Sequence, residues 1–401
     1  MNVLLLSFYF PPDLSAGSFR MEALVASLRE SLPEGSRITV ITTSPNRYGS
    51  FDAPAPTTEV SGSLTIHRID LPAHRSGMLD QARAFTAFAW KARSLVCKER
   101  PDLVVATTSR LMTGVLGAWA ARHHNVPFYL DIRDIFVDTI GDVLSPRISF
   151  LLQPMLSSLE RWAVNTASQV NLVSPGFLPY FKPRYPDRNF SLLSNGVDDA
   201  FLEHGYCQNA SPSTPPRPIQ VLYAGNIGEG QGLHHILPEL TRVLGNAVRF
   251  IVVGDGGRRA ALEAALAVLP EHSVTLMNPV KRSELIRMYQ EADVLFVHLN
   301  DLPAFEKVLP SKLFEYAATG KPVWAGLAGF PAKFAQQEIE NTAVFSPCDA
   351  ADAAKSLERL RLQTVDRSSF IERYRRTTIM NRMADEIRQL ASTQQASQML
   401  S

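Results

Sequence analysis

Cysteine is scarce. Cys97, Cys207 and Cys348 are the three in 401 residues, far apart and never in a Cys-x-x-Cys pair. That excludes a disulfide-stapled secreted knot and fits a reducing compartment. An excess of one charge is also missing: Lys+Arg number 40 and Asp+Glu 39. A nucleic-acid binder would normally carry a global basic excess, so none is expected as a partner. No apolar run reaches the ~18 residues of a spanning helix. Met1-Asn2 leads straight into Val3-Leu4-Leu5-Leu6 with no basic segment before it. A secretory signal is therefore not expected, and the cytoplasm is the expected compartment. After the first apolar run there is no Gly-x-Gly-x-x-Gly, and no glycine loop continues into Gly-Lys-Ser/Thr. The dinucleotide fingerprint and the P-loop are both excluded. Asp198-Asp199 does not make an Asp-x-Asp loop, and the pairs His123-His124 and His234-His235 lack metal-ligand spacing. No obligatory metal and no cofactor are expected.

What is present is a repeated strand–helix pattern. Hydrophobic residues are 45% and charged residues 20%, enough for a packed core. Short apolar runs that barely alternate read as buried parallel strands. They fall at 3–8, 37–42, 64–69, 103–107, 127–132, 169–173 and 190–193, then at 219–224, 249–253, 274–277, 294–298, 322–325 and 343–346. Helical periodicity fills 18–31, 79–99, 110–123, 147–166, 232–245, 257–268, 282–292 and 311–319. This alternation predicts an α/β protein with parallel sheets covered on both faces. The Pro/Ser-rich stretch 204–218 reads as a linker between two doubly wound, Rossmann-like domains, 1–203 and 219–371. A long charged helix is expected over 366–390, and its terminal part, 372–401, is compatible with packing back on the first domain.

Open parallel sheets bind ligands beyond the carboxyl ends of their strands, so the loops after strands carry the candidate chemistry. The first is Phe10 to Arg20, where Ala16-Gly17-Ser18 opens a helix whose free amides suit a phosphate or sugar. Asp131-Ile132-Arg133-Asp134 puts three charges at a buried strand end. Such charges are costly unless paired or used, so the turn is either an ion pair holding the loop or a reacting site. Ala224 to Leu233 packs four glycines into eight positions before a helix, and Gly254 to Arg259 is a second glycine turn with two cations. Two such loops at successive strand ends point to a nucleotide. In Pro310 to Val323, a helix starts at Pro310-Ser311 with Lys312 in its first turn and Glu315 on the face of Ser311. The positive helix end and Lys312 suit a diphosphate, and Glu315 suits the two hydroxyls of a ribose.

These stretches, with Ser194-Asn195-Gly196-Val197-Asp198, resemble the GT-B glycosyltransferases of family 4 over nearly the whole chain. The likeness leans to their bacterial O-antigen and capsule branch, with its WbuB-like members. The resemblance implies two Rossmann-like domains facing a cleft and a retaining transfer without metal. The donor would be a UDP-sugar, N-acetylated, and the acceptor a polyprenyl-diphosphate-linked saccharide at the cytoplasmic face of the inner membrane. It implies that Glu315 holds the ribose and that Ser311 and Lys312, with Leu313, stand beside the diphosphate. Gly228 to Gln231 would lie under the distal phosphate, Val280 in the loop Asn278-Pro279-Val280 would read the base, and Gly17 would lie near the reacting sugar.

The chain also departs from the family pattern. Asn226 and Gln231 stand where many relatives carry basic clamps, which leaves the charge to Lys312, Arg258 or Lys281. The family's Glu-x7-Glu spacing falls on Lys307, with Glu306 one residue off, and Arg133 replaces a frequent histidine. Asp131, Arg133, Asp134, Glu306 and Lys307 are the catalytic candidates. A UDP-sugar 2-epimerase of the same fold, or a non-catalytic sugar-nucleotide-binding subunit, are the alternatives. Residues 75–100 add a basic-aromatic helix (Arg75, Arg83, Lys91, Arg93, Lys98 and Arg100 around Phe85, Phe88 and Trp90). Such a helix can rest on an anionic membrane or simply present a solvated face.

Overall fold

A computed structural model describes residues 1–13, 15–45, 55–72, 78–108, 110–137, 146–202, 217–270 and 273–399. The chain divides into two compact units, Met1–Asn195 with Arg376–Ser401, and Gly196–Arg375. In chain order the first unit contains β1 (Asn2–Leu6), α1 (Ala16–Ser31), β2 (Arg37–Thr43), β3 (Thr58–Ser61), β4 (Leu64–Ile69) and α2 (Met78–Val96). It continues through β5 (Leu103–Thr107), α3 (Leu111–His124), β6 (Phe128–Ile132), α4 (Pro146–Thr166), β7 (Gln169–Leu172), α5 (Leu178–Arg184) and β8 (Phe190–Ser191). The second unit runs β9 (Ile219–Ala224), α6 (Leu233–Leu244), β10 (Val248–Val253), α7 (Arg259–Leu266), β11 (Val274–Met277), α8 (Arg282–Glu291) and β12 (Val294–His298). It ends with α9 (Ser311–Ala318), β13 (Val323–Gly326), α10 (Gly329–Glu338), β14 (Thr342–Phe345), α11 (Ala350–Leu357) and α12 (Ser368–Tyr374). The last helix, α13 (Arg376–Met399), belongs to the first unit.

The first sheet has the order β3-β4-β2-β1-β5-β6-β7-β8 and the second β11-β10-β9-β12-β13-β14. Every pairing in them is parallel except the antiparallel β3–β4 edge. The central strands are continuous apolar runs because helices cover both faces: β5 and β12 are buried at every position. Ser15 starts α1 by accepting a hydrogen bond from the Ser18 N–H at 3.2 Å. Asn125 ends α3 in the left-handed conformation.

The unit boundaries fall at 195/196 and 375/376 rather than at 203 and 371. The cause is local pairing: the Val197 N–H donates to the Tyr374 carbonyl at 2.6 Å, and Val197 is buried in the core of the second unit. Arg375 is extended, bridges Val197 and splits the single helix expected over 366–390 into α12 and α13. Beyond the break, Ile379, Met380, Met383, Ala384 and Ile387 of α13 pack against Met21, Leu24, Val25 and Leu28 of α1. Most of the expected linker, 204–216, lies outside the described residues, as does Arg75. In α2, Phe85 and Phe88 are core residues that pack around Phe8, whereas Trp90 is 80% exposed. Among the described residues no helix is long and apolar enough to cross a membrane.

Candidate active site

In the second unit the candidate residues gather beyond the carboxyl ends of β9, β10, β11 and β12. The loop after β9 is held from several sides. Asn226 Nδ2 donates to Gln231 Oε1 at 2.7 Å, and the Gly228 N–H donates to the same oxygen at 3.2 Å. Below the loop, Asn300 donates from Nδ2 to the Glu229 carbonyl at 3.0 Å. His298 is wedged between Gln231 and Cys348: Nδ1 lies 2.6 Å from the Gln231 carbonyl, and Nε2 accepts from the Cys348 N–H at 3.0 Å. Those partners fix the neutral tautomer with the proton on Nδ1, and burial holds the His298 pKa down at about 4. His298 is one of the residues the sequence reading missed. Its signal was a titratable group closing the otherwise apolar run Val294-Leu295-Phe296-Val297.

The glycine turn after β10 lies directly against this loop. A Cβ on Gly254, whose φ is +157°, would stand 1.8 Å from the Gly225 carbonyl oxygen. The close approach of the two backbones is therefore possible only for glycine. Arg258 forms an ion pair with Glu229. Asn226 and Gln231 are thus occupied with each other, and the cation Arg258 is committed to a carboxylate.

The first turn of α9 supplies the other half of the site. Lys312 Nζ lies 2.7 Å from Glu315 Oε2 and 3.1 Å from the Tyr289 hydroxyl, which itself donates to Glu315 Oε2 at 3.0 Å. Glu315 is 8% exposed. Burial, followed by the Glu315 charge, pushes the Tyr289 phenol well above its ordinary range, so Tyr289 stays protonated and can donate. The Lys312 side chain runs against Gly225, 3.3 Å from where a Cβ would stand. Ser311 opens the helix and is half-buried. Leu313 departs from expectation. Its side chain is fully enclosed in the core and its N–H donates to the Pro310 carbonyl at 3.1 Å, so Leu313 is a packing residue. Val280 is half-buried against the same core. Glu306 is exposed at the end of the turn Pro303–Glu306, followed by half-buried Lys307. The Phe305 ring in that turn lies against Gly230, so both residues neighbour the glycine loop.

In the first unit, Gly17 lies buried in the opening turn of α1. Asp131, at the end of β6, is 0% exposed. It accepts two hydrogen bonds from Arg20, both at 3.0 Å, and one from Asn171 Nδ2 at 2.7 Å. Burial would raise its pKa, but the Arg20 guanidinium overrides this and holds the carboxyl below its ordinary value. Arg20 also caps the carbonyls of Leu193 and Ser194 at 2.9 and 2.5 Å. Of the two roles left open for the turn, the geometry gives Asp131 the structural one, and the partner is Arg20 of α1, not its neighbour Arg133. A carboxylate so enclosed and so fully bonded has no face for a substrate. Arg133 is different: its Nη1 is buried without a hydrogen-bond partner. Burial and the nearby Arg20 lower its pKa to about 10. Asp134 is exposed.

Residues 18–196 match the family model of the glycosyl transferase 4-like domain, and residues 208–377 match that of glycosyl transferases group 1. The chain belongs to the glycosyltransferases of GT-B fold. One curated relative, the putative colanic acid biosynthesis glycosyl transferase WcaI of Escherichia coli K12, is 31% identical over 100 residues. That match covers 25% of this chain, and the chain spans only about a quarter (24%) of that relative's length. Solved GT-B structures align over nearly the full length. HepE of Anabaena, in complex with UDP and glucose, is 16% identical with a TM-score of 0.65, covering 97% of this chain and 100% of the other. The catalytic domain of starch synthase IV from Arabidopsis thaliana, bound to ADP and acarbose, is 14% identical with a TM-score of 0.63, covering 98% and 99%. WaaG, involved in lipopolysaccharide biosynthesis, is also 14% identical at 0.63, covering 98% of each chain. At these identities the solved structures bear on the fold of this glycosyltransferase alone.

Proposed function

We propose that this glycosyltransferase moves an N-acetylated sugar from a UDP-sugar, with retention, onto a polyprenyl-diphosphate-linked saccharide of a bacterial surface polysaccharide, in the manner of the O-antigen and capsule branch with its WbuB-like members. The observation that carries the reading is the Tyr289–Glu315–Lys312 cluster beside the glycine loop of the second unit. A carboxylate with two acceptor oxygens suits a ribose diol, and a cation at a helix start beside a glycine loop suits a diphosphate. In this reading Glu315 releases Lys312 when the nucleotide arrives. Lys312, Ser311 and the amides around Gly228 then stabilise the charge that develops on the leaving diphosphate. Val280 and its neighbours line the base. The leaving phosphate takes the acceptor hydroxyl's proton as the new glycosidic bond forms on the same face. Two relatives support the substrate classes: HepE is seen in complex with UDP and glucose, and WcaI is a putative colanic acid biosynthesis glycosyl transferase.

The exposed side chains Arg83, Trp90, Lys91, Arg93 and Lys98 support a first unit that rests on the cytoplasmic face of an anionic membrane. The deciding experiment is a transfer assay with UDP-N-acetyl sugars and a short polyprenyl-diphosphate saccharide in mixed micelles, the anomeric configuration being read by NMR. Product with the donor's configuration establishes the reading. Donor binding without transfer to any such acceptor removes it. Release of an epimerised UDP-sugar without acceptor replaces it with the epimerase.

A further inference from the structure

Among the described residues one group of three side chains could hold a metal ion. Glu229, His234 and His235 bring their donor atoms within 4.8 Å of one another. Glu229 stands in the turn that closes the glycine loop, and the histidines open α6 directly after it, so local backbone geometry assembles the cluster. The two imidazole rings lie 3.9 Å apart by centroid. The His234 Nδ1 is buried and has no hydrogen-bond partner. Buried polar atoms are seldom left so, and an unfilled ion or water is one of the ordinary explanations. Two imidazoles and one carboxylate form the three-ligand set that zinc accepts, with a fourth position open. Arg258 engages Oε2 of Glu229, so that ion pair occupies one of the two carboxylate oxygens.

We propose that Glu229, His234 and His235 bind a divalent transition ion of the zinc class and so pin the glycine loop to α6. The spacing rule counts ligands along one helix face, whereas in this cluster a carboxylate from the preceding turn lies beside the two adjacent histidines. The ion is not required for the chemistry proposed above. Its effect is on the loop, which it restrains. That second step rests on the donor reading; the binding itself does not.

The test starts from metal-stripped full-length protein. Zinc is titrated by calorimetry, and cobalt is added separately to read its ligand-field absorption. One ion per chain is expected, with a melting temperature that rises as zinc exceeds its Kd. Losing even an outer partner of a metal ligand costs about 10–100-fold in affinity, so His234→Ala and His235→Ala should each lose at least that much. The double variant His123→Ala/His124→Ala, the other adjacent pair, should bind as wild type does. Should His234→Ala fail to fold, the exposed His235 decides through its own variant. Wild-type zinc affinity in the folded histidine variants, or no cobalt spectrum in the wild type, overturns the site. UDP affinity that changes with zinc supports the loop effect. An unchanged UDP Kd overturns that effect and leaves the metal site standing. No UDP binding under any condition is a failure of the donor reading, not of the zinc site.

Discussion

Arg20 and Asp131 are 111 residues apart in sequence and form a two-bond ion pair in which neither side chain is exposed. The pair joins α1 to the end of β6 and, through Arg20, to the carbonyls of Leu193 and Ser194. Removing one charge from such a pair strands the other in a poorly solvating interior, at a cost of about 3–5 kcal/mol. Asp131→Asn should therefore lower stability by that order, and turnover should track the folded fraction. Urea unfolding and kcat measured on the same samples decide it. A stable variant with depressed kcat would return Asp131 to the reacting site.

Glu315→Ala removes an acceptor shared by Lys312 and Tyr289 and proposed for the ribose diol. Donor binding should weaken by about 1.5–3 kcal/mol for each charged hydrogen bond lost. Calorimetry with UDP checks this, with the melting curve as a control for folding. Wild-type UDP affinity in a folded variant would remove Glu315 from the ribose.

The His298 imidazole stays neutral in the fold down to about pH 4, whereas its ordinary value is 6.5. The unfolded chain takes up the proton first as pH falls. The residue's contribution is therefore intact above about pH 6.5, declines through the window down to about 4, and falls no further below it. Full displacement across such a window costs about 1.4 kcal/mol per unit. The expected result is a melting temperature that drops between pH 6.5 and 4 with a slope that His298→Asn reduces. Parallel pH profiles of the two proteins would show that His298 is not the titrating group.

Gly254→Ala should destabilise the second unit by more than about 1 kcal/mol, because the native φ is unsuited to alanine and the new methyl meets the Gly225 carbonyl. Gly35 also has a positive φ, +78°, but has open space around it. Gly35→Ala should show strain alone, and the comparison by chemical denaturation separates the two contributions.

The strands were legible in the sequence because burial on both faces turns them into unbroken apolar runs, as in Leu103-Val104-Val105-Ala106 and Val294-Leu295-Phe296-Val297. The exposed edge β3 escaped for the same reason reversed: Thr58-Glu59-Val60-Ser61 buries nothing and carries no such signal. Local site features were equally readable. Lys312 and Glu315 lie one helical turn apart, and the glycine loops are contiguous. Contacts made across long separations were not. Nothing near Asp131 announces Arg20, and nothing near Lys312 announces Tyr289, because chain topology alone brings them together. The break at Arg375 was hidden because its neighbours have good helical character, and pairing with Val197 overrides it.

The return of α13 to the first unit bears on the order in which this protein can fold during synthesis. Translation runs at about 5–20 residues per second and domains commonly fold as they emerge. The first unit cannot finish in this way. The apolar flank of α1 formed by Met21, Leu24, Val25 and Leu28 waits for Ile379, Met380, Met383 and Ile387, which are made after the entire second unit. The second unit, continuous from Gly196 to Arg375, is the one able to close its core first. A fragment ending at Asn195 would carry an uncovered hydrophobic flank and should self-associate, whereas adding α13 as a separate peptide should restore a soluble monomer.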